Sequence, residues 1–217
     1  DIERIEGRQL TPAPSVRFGT ADEVFEALCE EASTQLSSLS VNEQQRLRQM
    51  LYSRSRSAFG KYVPSRHTIL IVPGRFTDES RLTRDELLRV VLLHELAHAS
   101  DNLIDQVFQR IRECKGSEEY LVYMALVEGH AQWMTRRALS DRGNAETFEL
   151  WEDIIEDTGA SVSEAVPWDL VRERIRFAYI DGHQFFNQLV ELGREDLIAR
   201  VFTNPPSNSG EILDARK

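Results

Sequence analysis

The sequence predicts a mainly α-helical (α+β) fold: one domain with a small β element beside a central helix. Three observations carry that expectation. Ser/Thr-x-x-Glu capping boxes recur ahead of apolar runs with helical spacing. A single β-branched run, His67-Thr-Ile-Leu-Ile-Val72, stands out as a strand. One helix-favouring segment, Leu87 to Ala99, is apolar except at Arg89, His94, Glu95 and His98, so it belongs in the middle of the domain.

Taken in order, residues 1–19 show little periodicity and pass through Thr11-Pro12-Ala13-Pro14, which reads as an extended lead-in. Thr20-Ala-Asp-Glu23 is a capping box opening a helix of about 15 residues, with Val24, Leu28 and Cys29 on its apolar side. Ser40-Val-Asn-Glu43 opens a second helix carrying Leu47, Met50 and Leu51, and Gly60 and Pro64 break the pattern. The strand at 67–72 closes on Pro73-Gly74. A third capping box, Thr83-Arg-Asp-Glu86, opens the apolar helix, and Ser117-Glu-Glu starts another that runs to about Leu139. Asn144 caps a helix through Trp151, Ile154 and Ile155 that stops near Gly159. A long helix is expected from Trp168 to Leu192 with Gly182 inside it, then a short one before Asn204-Pro205-Pro206. No repeat or linker interrupts the chain. It reads as one domain, 1–217, in three stretches: 1–60, 61–142 and 143–217.

At 217 residues, with 41% apolar and 29% charged side chains, the chain can bury one sizeable core. A net charge of −10 repels phosphate backbones and argues against nucleic-acid binding. No apolar run approaches the roughly 20 residues that span a bilayer. Cys29 and Cys114 lie far apart without a Cys-x-x-Cys pair, so a zinc ribbon is excluded; one disulfide or two free thiols both remain open.

The chemistry concentrates at His94-Glu95-Leu96-Ala97-His98. Residues four apart on a helix differ by about 40° around the axis, so His94 and His98 project side by side. Two imidazoles in that arrangement bind one Zn²⁺, and Glu95 is placed to act on a water beside it. A catalytic zinc site needs a third protein ligand. A metzincin would have Gly three residues and His six residues after the second histidine; here those positions are Asp101 and Ile104. The remaining common solution is a carboxylate from a later helix, and Leu126-Val127-Glu128-Gly129-His130-Ala131 supplies one. Gly129 suits a helix packed closely against another.

On these residues the chain resembles the gluzincin metallopeptidases, whose third ligand is the glutamate of a Glu-Gly-x-Ala-like segment. More narrowly it is similar to a family of largely uncharacterised bacterial (minigluzincin-like) proteins. The shared features are the Gly7 lead-in, Gly60-Lys-Tyr62 before the strand, the His94–His98 helix and Glu128-Gly-His-Ala131. Tyr179-x-x-Gly182-x-x-Phe185 and a tail with Pro205-Pro206 follow. The tail departs from the pattern, with Ser209-Gly210-Glu211 and Asp214-Ala215 where Ser-Thr-Glu and His-Pro are usual.

The resemblance implies a gluzincin-like zincin domain with His94, His98 and Glu128 as zinc ligands and Glu95 as general base and acid. It implies hydrolysis of peptide bonds by a zinc-activated water, with a peptide or protein as substrate. It also implies an edge strand that pairs with bound peptide, here His67–Val72 with His67, Ile69 and Ile71 as the contacting residues. Tyr179, and next His183, are the expected donors to the oxyanion. The start at Asp1 rather than Met, together with the resemblance, leans toward an exported protein.

Plainer readings stand beside these. His130, two residues from Glu128, falls on the other side of its helix and belongs to core or solvent. Asp101, seven residues from His94, either orients a ligand histidine or is a helix-end polar residue. Trp133, Trp151 and Trp168 read as core or groove residues, and the acidic pairs Glu30-Glu31 and Glu118-Glu119 as solvated helix ends. In function, the alternatives to a zinc endopeptidase are two. One is a zinc-stabilised scaffold that binds or regulates without proteolysis. The other is a latent peptidase whose cleft is filled by the lead-in or the Pro-Pro tail.

Overall fold

The computed structural model describes residues 1–7, 9–76, 81–159 and 173–216. It is mainly α-helical with one small sheet, as the sequence predicts. No helix among the described residues is long and apolar enough to cross a membrane.

The sheet has three strands, β1 (Ser15–Phe18), β2 (Gly60–Val63) and β3 (Thr68–Ile71), in the order β1-β3-β2. β1 runs parallel to β3 and β2 antiparallel to it. The expected edge strand is therefore the central one, with both of its backbone edges taken. All four β3 residues are buried, as befits a strand covered on both faces. Two segments without a strand signal supply its neighbours. The lead-in contains both β1 and a short helix, α1 (Ile2–Glu6), and the Gly60–Pro64 break contains β2.

Helices cover both faces of the sheet. On one side lie α2 (Ala21–Glu31) and α4 (Val41–Ser57), where Val24, Leu28 and Leu51 meet Val63, Leu70 and Val72. The first predicted helix ends early, and Ser33–Ser38 forms a separate α3. On the other side Tyr62, Ile69 and Ile71 join the large core built on α5 (Arg84–Asp105) and α7 (Ser117–Ser140). A short helix, α6 (Val107–Glu113), links these two.

All three capping boxes form. At α2, Thr20 N–H donates to Glu23 Oε2 at 2.9 Å. At α4, Ser40 N–H donates to Glu43 Oε2 at 3.0 Å. At α5, Thr83 N–H donates to Glu86 Oε2 at 2.9 Å and Glu86 N–H to Thr83 Oγ1 at 3.3 Å. Each satisfies amide donors that a helix start leaves unpaired.

After α8 (Ala145–Gly159), the helix expected from Trp168 to Leu192 is not uniform where it is described; Trp168 lies outside the described residues. Phe177–Asp181 is a π-helical turn, followed by α9 (Gly182–Glu191). The two glycines at this crossing explain how close it is. A Cβ on Gly129 would sit 2.3 Å from the Gly182 carbonyl carbon, and one on Gly182 would sit 2.2 Å from the Ala125 oxygen. Backbone meets backbone there, so α7 and the start of α9 are held at a separation that only glycine permits. Cys29 and Cys114 are free thiols.

Candidate metal centre

The helix α5 is apolar most of the way round and buries His94, Glu95 and His98 along with its leucines and valines. Its partner α7 buries Glu128 opposite them. Among the described residues these form one group of metal-binding type, His94–His98–Glu128. The facing atoms are His94 Nε2, His98 Nε2 and Glu128 Oε2. The two nitrogens are 3.1 Å apart, and each lies 3.3 Å from the oxygen. Ligands about 2.0–2.1 Å from a tetrahedral ion are separated by about 3.3 Å, so this triangle matches one face of a tetrahedral site. The group can hold a metal ion. The donor chemistry, two imidazoles and a carboxylate, fits zinc and the other first-row divalent ions.

The far side of the triangle is partly bare. Both Nδ1 atoms are buried without a hydrogen-bond partner among the described residues. Metal-bound histidines usually donate that N–H to a carboxylate or carbonyl. Asp101 does not fill the role: its Oδ1 and Oδ2 lie 2.9 and 3.1 Å from His130 Nδ1. Two turns of helix carry Asp101 about 10 Å along the axis from His94, beyond a carboxylate's reach. It is no exposed helix-end residue either, because both partners are buried. His130 is a core residue, stacked on Trp133 and packed on Phe186 and Phe202. Burial opposes its charge, but Asp101 outweighs that and raises the imidazole above its ordinary value.

Within the triangle, burial would raise the Glu128 carboxyl, yet His98, His94 and Arg54 together hold it well below the usual carboxylate range. The same attraction lifts His98 against the effect of burial. These contacts keep Glu128 ionised.

Glu95 lies beside the triangle. Its Oε2 accepts the Tyr62 backbone N–H at 2.5 Å, so strand β2 fixes one oxygen of the carboxylate. Gly60 lets that strand press on α5, since a Cβ there would lie 2.6 Å from Val91 Cγ1. Tyr179, in the π turn, stacks on the His94 ring with centroids 6.0 Å apart and planes 11° from parallel. Burial, then the Glu128 carboxylate, push its phenol well above the ordinary value, which keeps it a protonated donor.

A cavity of about 270 Å³ joins His94, Glu95, His98, Glu128, Tyr179 and Arg54, with largely apolar walls. None of its described lining belongs to residues 1–19 or to Pro205-Pro206, the segments a latent form would use.

The other expected site residues lie elsewhere. Ile69 and Ile71 are buried in the core, and the ring of His67 sits between the Tyr62 hydroxyl (2.9 Å) and the Pro12 carbonyl oxygen (2.8 Å). None of the three lines the cavity; the strand that does is β2, through Gly60 and Lys61. His183 is fully buried, with Nδ1 2.9 Å from Glu152 Oε1, and also stands apart from the cavity. Conversely, Arg54 is not among the expected site residues, yet its Nη2 donates to Glu128 Oε1 at 3.2 Å. A signal for it existed. Arg54 continues the apolar stripe of Leu47, Met50 and Leu51 at helical spacing, and a charge on such a stripe calls for a partner.

No known family profile matches the chain, and no curated protein or solved structure matches it at a significant level.

Proposed function

We propose that this protein is a zinc-dependent endopeptidase of gluzincin type. The observation that carries the reading is the 3.1–3.3 Å triangle of His94, His98 and Glu128 with Glu95 in the same cavity. A bound zinc ion supplies Lewis-acid activation for attack on a peptide carbonyl. His94, His98 and Glu128 hold it. Glu95 is the general base: Tyr62 N–H occupies Oε2, which leaves the other oxygen to take a proton from water and pass it to the leaving amine. Tyr179, protonated and facing the cavity, donates to the oxyanion as it develops. Strand addition by a substrate falls to β2, whose Gly60 and Lys61 line the cavity.

The test is incubation of the purified protein with casein and a mixed peptide library, with and without chelator. Cleavage that the chelator stops and that Glu95→Gln abolishes, at unchanged zinc content, is the expected result. Stoichiometric zinc without cleavage of any substrate overturns the peptidase and leaves a zinc-stabilised scaffold.

A further inference from the structure

We propose that Arg54 is a positioning residue of the metal centre, holding Glu128 to coordination through one oxygen only. This rests on reading His94, His98 and Glu128 as a metal site. The two oxygens of Glu128 have different neighbours. Oε2 faces both histidine nitrogens at 3.3 Å, whereas Oε1 accepts from Arg54 Nη2 at 3.2 Å. A free carboxylate can swing to offer both oxygens to an ion. A guanidinium on the distal oxygen engages its lone pairs and turns it away, so the coordination position it would take stays open.

Arg54 comes from outside the two ligand helices. Helix α4 packs on the far face of the sheet through Leu51 and Leu47, and Arg54, three residues after Leu51, reaches round to the cavity. Its side chain remains 42% exposed while that of Glu128 is 6% exposed, so the arginine spans from solvent to a buried ligand. The N-terminal helical layer thus contributes to a site whose ligands all come from α5 and α7.

Affinity alone is a poor test. Loss of Arg54 removes an orienting contact, which weakens metal binding, and removes a positive charge near the ion, which strengthens it. Coordination number separates these effects, and Co²⁺ reports it, because its visible absorption weakens as a fifth ligand joins a four-coordinate ion. The full chain, freed of metal and titrated with Co²⁺, is expected to show an intense visible band. In Arg54→Ala the band should weaken and shift as Glu128 takes up a second bond and the ion becomes five-coordinate. Arg54→Lys, which keeps a donor and the charge, should recover most of it. Thermal unfolding of the metal-free variants checks that a half-buried side chain was removed without loss of fold. A band of equal position and intensity in parent and Arg54→Ala overturns the role of Arg54 alone. A parent protein that binds no Co²⁺ removes the metal site itself, and this proposal with it.

Discussion

His130 and Asp101 show how differently two polar residues beside the same motif can be used. Their contact lies on the opposite side of α7 from Glu128 and touches no ligand nitrogen. Removing the carboxylate leaves a buried imidazole without its counter-charge, so Asp101→Ala is expected to lower unfolding stability by about 3 kcal/mol. Denaturant unfolding measures this. Zinc affinity should be unchanged, whereas a residue orienting a ligand would cost 10–100-fold, so the two measurements together decide which role Asp101 has. Nor does the Nδ1 of His94 or His98 have a hydrogen-bond partner among the described residues.

Among elements, the crossing of α7 with the π turn and the start of α9 brings Tyr179 to the cavity. Alanine normally favours a helix interior over glycine by roughly 1 kcal/mol. Gly129→Ala should do the reverse and destabilise by several kcal/mol, since its methyl would meet backbone atoms of Gly182 that cannot rotate away. Gly74, with no described atom within 4 Å of its Cβ position, is the control and should tolerate alanine within about 0.5 kcal/mol. At the start of α5, Thr83→Ala should cost about 1 kcal/mol near neutral pH. The Thr83 hydroxyl and amide hold the Glu86 carboxyl below its ordinary value. A depressed carboxylate contributes stability above its unfolded value and loses it as pH falls through the folded one. The gap between parent and Thr83→Ala should therefore narrow on acidification, which chemical denaturation at a series of pH values would show. Three such boxes placed the helix starts α2, α4 and α5 in the sequence, because a cap is a local signal.

At the scale of the molecule, the sheet is the middle layer between an α2/α4 side and an α5/α7 side, and the cavity draws on both. A ligand that binds only the folded chain at about 100 times its dissociation constant adds about 2.7 kcal/mol. For a chain of this size that corresponds to a rise in Tm of roughly 5–10 °C. Zinc should produce this shift and a chelator should reverse it. Differential scanning calorimetry on the parent and on the His94→Ala/His98→Ala pair checks it, and an equal shift in both would sink the metal site. Strand order was not legible at this scale. An apolar tetrapeptide such as Thr68–Ile71 announces a buried strand, but its neighbours, Ser15–Phe18 and Gly60–Val63, carry weak signals and are strands because β3 pairs with them.

The sequence by itself determined the helical class, the capped starts of the main helices and the histidine pair with its adjacent glutamate. These follow from interactions within a few residues, which spacing records directly. Only the tertiary structure decided that Glu128 Oε2 meets both imidazoles, that Arg54 holds the other oxygen, and that Asp101 serves His130. It likewise made β2 rather than β3 the strand against the cavity. Each of those contacts joins residues about 30 or more apart in the chain, where the helix crossing and strand order, not the local pattern, set the distance.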